Sequence, residues 1–435
     1  MWKNNLFIGF LILFAFQLVN AQEFLSLDDA IRIALKNSFD IQIAKIDSAE
    51  ATVNNTIGNA GMLPKLNLTA SDNNAINDIN QKYSTGIETK KNNIQSSNIN
   101  ASAVLAWTLF DGFKMFITKE KLSVLQEQGV IAMKDQIQDT LKEIIAAYFD
   151  ITVQQQLILV QKESNKISEE RVKIAKLKFE NGSGAKTDYL QASVDLNEGR
   201  STLLQYNTLL DQKRNILNQL LNRPPEQPFT VMDSIPFSDS INFKEIQSGI
   251  TSNNLTIQSF EKNLKISQLS FKEIRSQRLP QLNLLLGYNF AYTKSAAGLI
   301  LLNQGIGPSY GFNFSLPVFN GFNLNHQLKI ASLDVSKNLI ILDKIKKQTN
   351  TNLLVAYKNY TYYIDALKIE EENILLAKEN AKISLERLKL SQATSLEMIT
   401  AQNSLVNAYH RLLTTRQHAK LAEIELFRLN GKLLK

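Results

Sequence analysis

The sequence predicts a mostly α fold with a small β part, in which one unit of long helical hairpin and strand pair is used twice. Three observations carry this. The 435 residues include only 8 prolines and 17 glycines, a profile that leaves room for long uninterrupted helices. The motif "LFDGF", Leu109 to Phe113, recurs 209 residues later as "VFNGF", Val318 to Phe322. Between stretches of helical period stand short stretches in which apolar residues alternate with polar ones, the period of a strand.

The elements follow in order along the chain. "MWKNNLFIGFLILFAFQLVNAQEF" has a cation at Lys3, an apolar run from Leu6 to Val19 and small residues at Val19 and Ala21, the pattern of a secretory signal peptide cleaved after Ala21. The apolar run is shorter than the ~20 residues of a membrane-spanning helix. The formal charge of +7 becomes +6 without Lys3. Lysine and arginine are interleaved with aspartate and glutamate throughout, which speaks for solvated helix faces and against nucleic-acid binding. An exported chain with no cysteine has neither disulfides nor a cysteine-linked lipid, so packing or assembly must hold it together.

Pro64 and Pro280, in "GMLPKL" and "QRLPQL", end a helix and turn the chain into extended geometry. Beyond Pro280 the apolar residues alternate as Leu282, Leu284, Leu286, Tyr288, Phe290 and Tyr292, and again as Tyr310, Phe312, Phe314, Leu316 and Val318. The first half has weaker counterparts at Leu66, Leu68 and Ala70, and from Ile99 through Leu105 and Trp107 to Leu109. Period two with aromatics toward the ends is the pattern of a transmembrane β-strand with one greasy and one wet face. A half-exposed hairpin on a water-soluble domain has the same period. Polar loops are expected near Ser71 to Gln95 and near Thr293 to Gly307.

After each strand pair the period changes to that of a coiled coil. Ile137, Leu141, Ile144, Tyr148 and Ile151 alternate spacings of four and three. Tyr189, Leu196, Leu203, Leu210 and Leu217 stand seven apart, and 209 residues on stand Met398, Leu405, Leu412, Ala419 and Leu426. Each half therefore reads as a helix of ~70 residues, ~105 Å at 1.5 Å per residue, a tip turn, and a second helix packed back along it. The long helices are expected near 111–180 and 319–390. The units are a signal peptide 1–21, a first repeat 22–222, a Pro-rich linker 223–240 and a second repeat 241–435.

The first tip turn, "NGSGAKTDYLQAS", borrows the letters of a phosphate-binding loop. Ala185 stands where such a loop needs glycine before Lys186, and the flanks are helical on both sides rather than strand and helix. Gly182 and Gly184 instead read as the C-cap and positive-φ positions of a hairpin turn, with Thr187 placed to start the next helix. In the second turn Ser391 and Ala393 take the glycine positions, so the tips cannot both depend on a glycine loop.

Four strands cannot close on themselves, and an open edge in lipid leaves backbone groups unpaired at several kcal/mol each. The smallest bacterial barrels have about eight strands, so a membrane-spanning form of this chain must oligomerise. The order of signal peptide, helix, "LP", strand pair, "LFDG", long helical hairpin, and then the whole unit again, resembles the TolC-type outer-membrane efflux protein family across essentially the full mature chain. The resemblance implies a homotrimer in the outer membrane of a Gram-negative bacterium, with twelve strands forming one barrel in outer-membrane lipid, continued by a periplasmic α-barrel. It implies docking through the tip turns, Asn181, Gly182, Ser183 and Gly184 with Ser391, Gln392, Ala393 and Thr394, onto a periplasmic adaptor protein and an inner-membrane transporter. The chain would be a passive exit duct for small toxic compounds, catalysing no chemistry and using no cofactor or metal.

The same resemblance places an acidic ring at the periplasmic mouth. Glu397 stands at the ring position, Asp188 matches it in the first repeat, and Thr400 stands where members of the family carry a second acid. A narrow ring of carboxylates attracts cations and raises its own pKa values by mutual repulsion. Asp188 and Glu397 are equally read as first-turn acids complementing a helix dipole. The tyrosine and arginine that tie the second tip shut in some members align with Leu388 and Ala393, so that latch is missing here.

Two further readings stay open at this stage. One is an exit duct for secreted proteins, with the same tunnel and a different inner-membrane partner. The other is an exported coiled-coil rod without a pore, which gives no reason for the alternation from Leu282 to Tyr292. An enzyme has little to stand on. His326, His410 and His418 are the only histidines, the last two eight apart, and the acids show no paired spacing.

Overall fold

The computed structural model describes residues 23–237, 241–296 and 300–433, and the expected signal peptide lies outside them. The chain divides into two compact units, one formed by residues up to Ile46 with Ala132–Gln258 and Ile345 onward, the other by Asp47–Ile131 and Ser259–Lys344.

The elements confirm the duplication. In the first half, helices α1 (Leu27–Asn37) and α2 (Phe39–Asn54) lead into strands β2 (Lys65–Lys82) and β3 (Glu88–Phe110), then helices α3 (Lys114–Glu180) and α4 (Lys186–Leu220). In the second, α5 (Phe243–Asn253) and α6 (Leu255–Ser276) lead into β5 (Gln281–Ser295) and β6 (Leu302–Ser315), then α7 (Asn323–Lys389) and α8 (Ser395–Leu429). Both long helices have 67 residues and both return helices 35. Even the unusual backbone repeats. Phe113 and Phe322 hold φ of 70° and 59°, and Asn222 and Gly431 hold 53° and 64°. Each of these pairs, like the paired long helices, stands 209 residues apart. Lys65 and Gln281, which open the strand pairs, stand 216 apart, because the second strand pair with its exit is one heptad shorter.

In the helical unit the apolar rows read from sequence are inside. Leu141, Ile144, Tyr148 and Ile151 are all buried, as are Leu210, Leu217, Met398, Leu412, Ala419 and Leu426. A two-residue strand β1 (Glu23–Phe24) pairs in parallel with β4 (Phe229–Thr230). Tyr148 lies under them: its hydroxyl donates to the Leu25 carbonyl at 2.8 Å and accepts the Met232 N–H at 3.1 Å. A buried phenol with both hydrogen-bonding roles filled fixes the segment around 229–235 to the core, where Phe229, Val231 and Ile235 are also buried.

The second unit holds a four-stranded antiparallel sheet of order β2-β3-β5-β6. Leu66 faces Leu105, Leu105 faces Leu286, and Leu286 faces Tyr310, so one apolar row crosses the sheet. The sheet corrects two sequence expectations. The polar segment from Ser71 to Gln95 is strand for most of its length, leaving a turn only at 83–87, and the second connection is confined to 296–301. Likewise β6 begins at Leu302 rather than at Tyr310 and ends before Leu316 and Val318. Asparagine and aspartate are poor strand formers, yet pairing continues from Ser71↔Asn100 to Lys82↔Glu88 because the ladder satisfies the backbone whatever the side chains. A bulge near Asp78 takes up the irregularity, with Asn93 at φ 55° donating its N–H to Asp78 Oδ1 at 2.8 Å. Among the described residues β2 and β6 have no strand on their outer sides.

Candidate functional site at the helical hairpin tips

Both tips are built by the same turn. At the first, the Gly182 N–H donates to Phe179 O and the Ser183 N–H to Lys178 O, at 3.0 and 2.9 Å. At the second, the Ser391 N–H donates to Leu388 O and the Gln392 N–H to Arg387 O, at 3.1 and 2.8 Å. This pair of bonds is the Schellman C-cap, whose pivot residue is left-handed. Gly182 holds φ 73° without steric cost, and Ser391 holds φ 60° despite its Cβ. Gly184 is required by a close approach, since a Cβ there would lie 2.8 Å from Lys178 Cβ. Ala393, its counterpart, shows that the second turn is looser.

The expected start at Thr187 is corrected. Helix α4 begins at Lys186, and its N-cap is Ala185, which contributes no side-chain bond. Helix α8 is capped properly: Thr394 Oγ1 accepts the Glu397 N–H at 3.2 Å. Asp188 and Glu397 both stand in the first turn of their helices. Their surroundings differ. Arg387 reaches across the second turn, donating from Nη2 to Gln392 O at 2.9 Å with Nη1 3.8 Å from Glu397 Oε2. Asp188 has no cation partner among the described residues. Leu388, in the place of the missing latch tyrosine, is buried.

Behind the tips lies a feature that the apolar periodicity did not reveal. Beyond Ile158 the buried face of α3 turns polar, with Gln161, Ser164, Asn165, Ser168 and Arg171 each less than a tenth exposed. They line a polar cleft of about 530 Å³ with residues of α4 and α8. Arg171 donates to Asp195 Oδ2 at 2.8 Å. Gln402 of α8 donates to Ser164 O, Ser164 Oγ and Ser168 Oγ, all within 2.9 Å. Gln161 and Asn165 both donate to the Gly199 carbonyl at 3.2 Å, and a Cβ on Gly199 would lie 2.3 Å from Asn165 Oδ1. Hydrophilic residues at seam positions looked in sequence like the solvated side of a helix, and only the packing of α8 shows them enclosed.

Further along, α8 is held to α3 by charge. Lys142 pairs with Glu425 at 2.8 Å, and Arg428 with Asp139 at 3.2 Å and Glu425 at 2.9 Å. Burial pushes the Glu425 carboxyl up, but hydrogen bonds from Arg428 and Lys142 outweigh it, and the group rests below the ordinary carboxylate range. Nearby Asp135 goes the other way, raised by burial and by the charge of Asp139.

The family model described as outer membrane efflux protein matches residues 30–223 and 248–432, once in each half of the duplicated architecture. The chain belongs to the outer membrane efflux protein family. Two relatives are similar along most of the chain. The outer membrane efflux protein BepC of Brucella suis is 20% identical over 334 residues, covering 75% of this chain and 70% of its own. The alkaline protease secretion protein AprF of Pseudomonas aeruginosa is 19% identical over 398 residues, covering 89% and 80%. Among solved structures, the CmeC outer membrane channel of Campylobacter jejuni superposes with a TM-score of 0.78 over 93% of this chain and 85% of that one, at 17% identity. At that identity the likeness is one of fold, which in this chain is long helical hairpins and a four-stranded sheet. As an outer membrane efflux protein the chain is a channel component of the outer membrane that reaches into the periplasm.

Proposed function

We propose that the chain is the passive exit duct of a tripartite efflux system, carrying small toxic compounds outward as a homotrimer with twelve strands in outer-membrane lipid. The observation that supports this best is the open sheet of four strands with bare edges at β2 and β6. In hydrocarbon each unpaired backbone group costs several kcal/mol, so only closure with further copies makes such a sheet stable there. The repeats run 22–222 and 241–435 with 223–240 between them. The tips, 181–184 and 391–394, are the docking points for a periplasmic adaptor and an inner-membrane transporter.

Asp188 and Glu397 form the acidic mouth. Because Arg387 offsets part of the charge of Glu397 while Asp188 has no such partner among the described residues, Asp188 carries more of the field. A second reading, an outlet for secreted proteins, is favoured by the resemblance to a protease secretion protein.

The test is mass and conductance together. A trimer in detergent giving discrete, cation-preferring conductance in a planar bilayer supports the duct, and a monomer that forms no pore overturns it. Asp188→Asn should lower cation selectivity more than Glu397→Gln, and unchanged selectivity in the double variant removes the acidic mouth. Retention of small toxic compounds by cells lacking the chain, with normal protein secretion, separates the two cargoes.

A further inference from the structure

Antiparallel partners carry their side chains on the same side of a sheet, so the register assigns the alternate residues of each strand to one of two faces. One face holds the apolar row of Leu66, Leu105, Leu286 and Tyr310. The other holds the odd-numbered positions of β2 from Lys65 to Ala75, of β5 from Asn283 to Ser295 and of β6 from Asn303 to Ser315, with the even-numbered positions of β3 from Ser96 to Thr108. Nearly all of these are asparagine, serine, threonine, glycine or alanine. Lys65, at the border, is the only charged residue among them.

Several of these polar groups are tied to each other. The hydroxyls of Thr69 and Ser102 share a hydrogen bond of 2.8 Å, Asn289 donates to Ser309 Oγ at 2.8 Å, and Thr293 donates to Asn98 Oδ1 at 2.7 Å. Strand β6 adds bare backbone. A Cβ at Gly305, Gly307 or Gly311 would meet no described atom within 4 Å, and none of the three holds a positive φ. Neither packing nor backbone geometry calls for glycine there, and what the face presents in place of a side chain is an uncharged peptide group.

Charges approach from a few places only. Thr69, Ser102, Asn289 and Gly307 form one row across the sheet. Counted along the strands from that row, Lys65 stands four residues away, and Asp72 and Lys294, both on the apolar face, stand three and five away. At ~3.4 Å per residue the nearest is ~10 Å off, beyond the Debye length of ~8 Å at physiological salt.

Resting on the reading of the chain as an outer-membrane duct, we propose that this neutral face is the wall that solutes pass in the strand section, and that it takes anions, cations and zwitterions alike. Pores that select by charge do so with rings of charged side chains, and a wall that conducts must also let its solute go. The row through Ser102 supplies no such ring. A preference for cations then arises outside the sheet, and an anionic cargo meets no electrostatic barrier within it.

The chain has no native cysteine, so single thiols report on the wall. Ser102→Cys and Gly307→Cys place one on the neutral face, and Leu68→Cys places one on the apolar face. Each full-length variant is reconstituted in a planar bilayer at physiological salt, and conductance is followed after adding a cationic or an anionic methanethiosulfonate. The expected result is loss of conductance with both reagents in the Ser102 and Gly307 variants and no change in the Leu68 variant. The ratio of the two rates should fall within about threefold of its value for a small free thiol, since a potential of only ~1 kT would move it about sevenfold. A ratio further off overturns the charge-indifferent wall. Conducting channels whose Ser102 and Gly307 variants do not react overturn the choice of face and leave the duct standing. A native chain that forms no pore overturns the duct itself, and this inference with it.

Discussion

The side-chain amide of Gln402 donates to the backbone and hydroxyl oxygens of Ser164, 238 positions away in sequence, at 2.9 and 2.8 Å. With Ser168 as third acceptor it fastens the second hairpin to the first behind the tips. An apolar seam can slide by small repacking. A buried amide with three partners cannot move without leaving polar groups unpaired, at ~1–3 kcal/mol each. Gln402→Ala should therefore speed amide hydrogen exchange in detergent across residues 161–175 and 395–406 while leaving the sheet unchanged. Equal exchange in both proteins contradicts this.

Gly199 makes room for the neighbouring part of the same network. Its Ala variant brings a methyl against Asn165 Oδ1 and forces Gln161 and Asn165 off its carbonyl. A loss of about 1–3 kcal/mol, typical of overpacking, is expected in thermal unfolding. Ala408, which occupies the equivalent position in the second repeat and is buried, should lose a comparable ~2 kcal/mol on change to glycine, from helix propensity and the lost methyl rather than from a clash.

The tip turns predict opposite responses to reciprocal changes. Ser391→Gly relieves a Cβ held at positive φ and should stabilise the chain by about 0.5–1 kcal/mol, whereas Gly182→Ala should destabilise it by about 1 kcal/mol. Melting curves of the two variants moving in the same direction rule out this account of the turn.

Two carboxyls on the α3 and α8 seam give opposite pH behaviour. Asp135 is raised by burial and by Asp139, so its contribution to stability is present below its unfolded pKa and is lost as pH rises through the folded one. Asp135→Asn should raise the melting temperature at neutral pH and leave it unchanged in acid. Glu425 is lowered by Arg428 and Lys142 against the opposing effect of burial, so its contribution is present above its unfolded pKa and is lost as pH falls through the folded one. Glu425→Gln should cost about 1.5–3 kcal/mol at neutral pH, the range for hydrogen bonds to charged groups, with the difference closing in acid.

Much of this was legible in the sequence because helical rows are local. Tyr189 through Leu217 announce a seam by spacing alone, and the 209-residue repeat placed both tips within a residue or so. The sheet was legible where its side chains alternate, most clearly from Leu282 to Tyr292, and also at Leu66 to Ala70, Ile99 to Leu109 and Tyr310 to Phe314. From Ser71 to Gln95 the strands persist through asparagines and lysines because a neighbouring backbone holds them there, which no local pattern records. Thr187 misled for a related reason. A good capping residue stood two positions inside the helix, and Ala185 took the cap because the tight turn at Gly184 set where the helix could begin. The polar seam at Ser164, Ser168 and Arg171 needed α8, more than two hundred residues away, to become an interior.

The strand register also sets a dimension: Ala106, paired with Lys65 at the start of β2, faces on its other side Leu285, four residues beyond Gln281 at the start of β5. Crossing two strands moves the chain sideways by ~10 Å, while four residues along a strand amount to ~13 Å. In a barrel closed by further copies, as proposed above, strands set by this step would lean over by more than they stand upright, beyond the ~35–45° of ordinary barrels. For a fixed number of staves, a greater lean makes a wider cask. The pairing of Ala106 with Leu285, a contact inside one molecule, would thus gauge how broad an opening such a ring keeps.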